Sequence, residues 1–142
     1  MGDRRVARLA VSALVVVHLL ATIWHGDAHT RLHVDLSPAQ TIFVYVVILA
    51  APLASAGLMW TRHVSLGLWL FTLAMLGALL FGVYHHYVLV SPDNIAHLPA
   101  GSPDAQARFI ASAAAIAWIE LASALYGAFA LGSQHARWRS RA

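Results

Sequence analysis

The chain has 142 residues, 60% of them hydrophobic and only 11% charged, about one domain's length on a composition too apolar for an ordinary water-soluble protein. Soluble Rossmann, barrel and sandwich enzymes are thereby excluded, as is disorder, and so is a porin-like barrel, whose strands alternate apolar and polar residues where Thr41 to Trp60 is nearly unbroken apolar sequence. The formal net charge of +3 comes from nine basic residues, all arginine, gathered at the ends of apolar runs and not along one face, which speaks against nucleic acid as a partner.

Four apolar runs, Leu9 to Ala28, Thr41 to Trp60, Val64 to Val90 and Phe109 to Gly132, each reach or pass the roughly 20 residues with which a helix crosses a hydrocarbon core. They predict an all-α integral membrane protein, a single transmembrane domain over 1–142 with spans near 9–28, 38–60, 64–90 and 104–132 packed as an antiparallel four-helix bundle. Arg4, Arg5 and Arg8 precede the first span, Arg62 lies in the turn after the second, and Arg137, Arg139 and Arg141 follow the fourth, leaving Arg31 and Arg108 for the other side. The positive-inside rule then puts both termini in the cytoplasm.

The first span also fits a secretory leader, but no small-x-small cleavage site closes it, and it carries His18, Thr22 and His25. Its end is poorly marked, Gly26 being the one breaker before His29. Span two opens at Ser37-Pro38-Ala39-Gln40, a capping box with proline in the first turn, and contains Pro52, which should kink it. The turn at Thr61-Arg62-His63 is short, so spans two and three should be neighbours. Span three ends at the turn signal Ser91-Pro92-Asp93-Asn94, and a long connection leads to Ser102-Pro103-Asp104, a second cap with an acid in the first turn. The tail Arg137-Trp138-Arg139-Ser140-Arg141 suits the membrane interface.

Seven of the nine histidines, at 18, 25, 29, 33, 85, 86 and 97, belong to the non-cytoplasmic half of this topology. At 100° per residue His18, His25 and His29 form one stripe, and a spacing of four sets His25 and His29 on adjacent turns as paired metal ligands are presented; Asp27 lies between them. His85 and His86 point 100° apart. His85 shares a stripe with Gly67, Ala74 and Ala78, small residues that let helices approach closely, so it is expected to face inward, and His86, in line with Leu68, Met75 and Leu79, to face the interface; a one-residue change of register would exchange them. Glu120, the one acid away from the end of a span, falls near the bilayer centre, where an ionisable group is a functional candidate, with His18 at similar depth as its partner.

These residues predict a metal centre ligated by His25, His29 and His85, with Asp27 as ligand or orienting group and His86 as the alternative ligand in span three. Glu120 and His18 are the candidates for catalytic proton transfer or a second-metal layer. With no cysteine and scattered methionines, thiolate and soft copper(I) sites are disfavoured, and zinc, iron, manganese or copper(II) suit the imidazole and carboxylate set. The function expected is that of a membrane metalloenzyme or metal-handling protein. The alternatives are a b-type haem electron carrier with axial ligands such as His25 and His85, and a non-catalytic accessory subunit. Heavy use of alanine and arginine with no lysine points to a bacterial inner membrane. The small-residue surface calls for a homo-oligomer or a partner subunit besides the lipid bilayer.

Overall fold

The computed structural model describes residues 2–139, less the side chains of 2, 3, 135 and 137–139; the arginine-rich tail and His135 lie outside the described side chains. The described chain forms four long helices, α1 (Gly2–Leu32), α2 (Pro38–Met59), α3 (Val64–Val88) and α4 (Pro103–Arg139). Each holds a stretch long and apolar enough to cross a membrane, and there is no strand among the described residues.

Local chemistry sets each boundary. α1 ends where His33 takes a left-handed conformation at φ 51°. Its N–H then reaches the Thr30 carbonyl, and that of Val34 reaches the His29 carbonyl at 3.0 Å, the paired closure by which helices satisfy their last carbonyls. Val34 packs back on Ala28 and Leu32. α2 opens on the capping box, with the Ser37 hydroxyl accepting from the Gln40 N–H and the Gln40 amide oxygen accepting from the Ser37 N–H. Pro52 does not end α2, because the preceding Val44–Ala50 turn is π-helical. The wider turn leaves room for a ring that has no N–H to give. A second π-turn, Tyr84–Val88, closes α3, with the Leu89 N–H on the Tyr84 carbonyl five residues back.

α3 is packed on two sides. On one side Gly67 and Gly77 meet α2: a Cβ on Gly67 would lie 3.1 Å from the Met59 nitrogen and the Ser55 carbonyl, and one on Gly77 3.4 Å from Val47. Its Leu68, Phe71 and Met75 stripe meets Val11 and Val15 of α1 and Ala124 of α4 in one apolar cluster. A second cluster, Ala28, Leu32, Val34, Ala105 and Phe109, lies at the opposite end of α1 and joins it to the start of α4. Large apolar side chains also cover the outside, with Leu20, Leu73, Leu125 and Phe129 all exposed, a surface suited to hydrocarbon and not to water. Between the clusters lies a string of buried polar residues that includes His18, His25, His86, Ser112, Glu120 and Ser123.

Candidate metal centre

Three histidines converge at the loop end of this polar string. His25 and His29 come from successive turns of α1, and His86 from the π-turn of α3. The Nε2 atoms of His29 and His86 each lie 3.1 Å from the Nε2 of His25, near the roughly 3.3 Å edge of a tetrahedron whose metal–nitrogen bonds are 2.0–2.1 Å. The Phe109 ring forms the floor, its centroid 4.9 Å from His29 and 5.0 Å from His25.

The opposite edge of each ring fixes its tautomer. The Nδ1 of His29 faces the Val34 carbonyl at 3.0 Å, and that of His86 faces the Asp93 carbonyl at 3.0 Å and the Asp93 carboxylate at 3.1 Å. Carbonyls and carboxylates only accept, so both Nδ1 atoms carry the hydrogen. The Nδ1 of His25 lies 2.9 Å from the Ser112 hydroxyl, whose own hydrogen goes to the Phe109 carbonyl, so this Nδ1 donates as well. Three imidazoles so arranged turn their Nε2 atoms toward each other, and a proton or a metal ion between them offsets the repulsion of facing lone pairs. Fixing the remote nitrogen by a carbonyl, carboxylate or hydroxyl is the way metal-binding histidines are oriented.

Loop 89–102 folds over the cluster and supplies Asp93. The Ile95 N–H donates to the His86 carbonyl and the Asn94 amide to the Leu89 carbonyl, which turns the buried Asp93 inward. Its Oδ1 lies 3.3 Å from the His29 Nε2, and neither carboxylate oxygen has a full hydrogen-bond partner. Burial pushes the Asp93 carboxyl up, but His86, His29 and His25 outweigh it and hold the carboxyl below the ordinary carboxylate range. The site therefore has a negative charge fixed beside its three imidazoles.

The facing of the two adjacent histidines is the reverse of the sequence expectation. His86 is buried in the cluster; His85 sits against α2, its Nδ1 3.2 Å from the Gln40 amide and its ring 4.4 Å from that of Phe81. The small-residue stripe does mark a close helix contact at Gly67, but with α2 and not with the site. His25 and His85 do not face one another, so the pair considered for haem is not brought together. Asp27 is exposed and paired with Arg31 at 2.6 Å. His33 and His97 are exposed. His18 and Glu120 do meet, the Nε2 and Oε1 being 3.2 Å apart. Sequence reasoning missed Asp93, Ser112 and Phe109. Asp93 lay in a turn signal, and the other two follow the α4 stripe of Ala105, Phe109, Ser112, Ile116 and Glu120.

The chain matches no known family model, no curated protein and no solved structure.

Proposed function

We propose that the protein is an integral membrane metalloprotein whose His25, His29 and His86 hold one divalent transition-metal ion at the non-cytoplasmic boundary of an antiparallel four-helix bundle, both termini being cytoplasmic. The observation that carries the reading is the convergence of three Nε2 atoms whose opposite nitrogens are all committed as donors. An all-imidazole set suits zinc, iron or copper(II) better than manganese, which prefers oxygen. Three protein ligands leave a fourth position open, as in water-activating zinc sites. That position would take a water in a metalloenzyme or an exchangeable ligand in a metal-handling protein, and the Asp93 carboxylate beside it balances charge and can take up a proton. The arginine distribution supports the orientation, and the composition supports a bacterial inner membrane.

Elemental analysis of detergent-purified protein equilibrated with zinc tests the reading. His25→Ala, His29→Ala and His86→Ala should each lose the ion of this centre, whereas His85→Ala and Asp27→Asn should keep it. Equal zinc in all five variants would refute the centre.

A further inference from the structure

One turn and more below the histidine cluster, the same polar string holds a second group for which the tri-histidine centre has no use. His18 and Glu120 are each 1% exposed, and Ser123 not at all. His18 projects from α1 and Glu120 from α4, with Nε2 and Oε1 3.2 Å apart. The other carboxylate oxygen, Oε2, has no partner, nor has the Ser123 hydroxyl, which lies three residues on along the same face of α4. The hydroxyl is the exception among the buried serines: Ser55 donates to the Pro52 carbonyl and Ser112 to that of Phe109, each three residues back. Two buried polar atoms left unpaired keep their full desolvation penalty, and in a bilayer no bulk water reaches them to relieve it.

We propose that His18, Glu120 and Ser123 form a second cation site, for a divalent ion held by the His18 Nε2, the Glu120 carboxylate and the Ser123 hydroxyl. The ion takes the place of the hydrogen between Nε2 and Oε1, whose 3.2 Å separation already matches two ligand atoms on one metal, and it satisfies Oε2 and the serine oxygen together. The donor set of imidazole, carboxylate and hydroxyl is within the range of zinc and of harder ions. Seven residues of α1 separate His18 from His25, about 10 Å at helical rise, so the two sites are in series along one helix and not a two-metal cluster. Gly82 of α3 lies between them, and a Cβ there would stand 3.8 Å from both the Glu120 Oε2 and the His86 Cδ2. Gly82 thus brings the backbone of α3 alongside both the outer ring and the inner carboxylate. Two sites in line at different depths fit an ion passed inward, so the inference rests on the tri-histidine reading and selects metal handling within it.

The test is zinc stoichiometry and affinity on the full chain in detergent. Wild type should bind two zinc ions per chain, Glu120→Gln one, His86→Ala one, and the double variant none. Ser123→Ala should keep both sites but weaken the inner one about tenfold, the effect of losing one supporting group at a metal site. One ion in wild type, kept in Glu120→Gln and lost in His86→Ala, would overturn the inner site and leave the outer centre standing. One ion lost in Glu120→Gln and kept in His86→Ala would support the inner site and remove the outer. No ion in wild type overturns both. If Glu120→Gln does not fold, Ser123→Ala decides: unchanged binding with a higher melting temperature means that its hydroxyl is merely an unpaired group, and overturns the proposal.

Discussion

Replacing Ser112 with alanine separates a metal centre from a cluster of histidines that simply hydrogen-bond. Of the three contacts that set the imidazole tautomers, those of His29 and His86 include backbone carbonyls, which mutation does not remove; that of His25 depends on one hydroxyl at 2.9 Å. Without it, the His25 Nδ1–H would be buried and unpaired at a cost of about 1–3 kcal/mol. The ring escapes that cost by moving its hydrogen to Nε2, where the lone pairs of His29 and His86 wait at 3.1 Å. The metal-free state gains a hydrogen bond where the metal should bind, and the ion has to displace it. The expected loss is 10–100-fold in zinc affinity, as for other groups that orient ligands, or about 1.4–2.7 kcal/mol. The fold should survive, since alanine suits a helix interior. Zinc competition against a chromophoric chelator reads the affinity. Ser55→Ala is the control, equally buried but bonded only to the Pro52 carbonyl. Affinity within twofold of wild type for Ser112→Ala, or the same loss in Ser55→Ala, would refute the tautomer argument.

Gly67→Ala should destabilise the chain by about 1–3 kcal/mol through overpacking, because the new methyl meets backbone atoms of α2 at 3.1 Å. Gly57→Ala, with nothing within 4 Å, should be neutral or mildly stabilising; thermal unfolding in detergent compares them. A reporter fused after Ala142 or placed in the Arg62 turn should be cytoplasmic, and one in the 89–102 loop external; an external C-terminal reporter would reverse the orientation. The Asp93 carboxyl is held below its ordinary range, so its contribution to stability is complete above the unfolded value of about 3.9 and is lost as pH falls through the lower folded one. Asp93→Asn should therefore flatten the acid limb of the stability curve of metal-free protein below about pH 4, and an unchanged limb would mean that another group governs it.

The spans were legible because hydropathy depends on composition over about 20 residues and tolerates errors of register. The α1 stripe was legible too, since α1 is regular α-helix from Gly2 to Leu32 and constant 100° steps put His18, His25 and His29 on one side. Span three was harder for two reasons. Both of its stripes are buried, one meeting α2 at Gly67 and the other meeting α1 and α4, so small residues did not identify the face of the site. Its last turn is also π-helical, where the step per residue is smaller than in an α-helix. Asp93 reaches the cluster through a loop whose path rests on single hydrogen bonds, from Ile95 to His86 and from Asn94 to Leu89, and no periodicity encodes those. The end of α1 depended on a histidine in a conformation usually reserved for glycine, which the sequence pattern did not announce.

The length of α4 has a mechanical consequence. Its 37 residues run unbroken from Pro103 to Arg139, about 55 Å at helical rise against about 30 Å of hydrocarbon. This one rod carries the Ser112 hydroxyl, the Glu120 carboxylate and the Ser123 hydroxyl. A side-chain atom about 5–6 Å from the helix axis sweeps about 1 Å when the helix turns by about 10°, enough to part a hydrogen bond. A torque on the Arg139 end would therefore be felt at His25 as a released ring and at His18 as a separated partner, with no rearrangement needed in the helices between. α4 is an axle through both clusters, and whatever grips its far end has a handle on both.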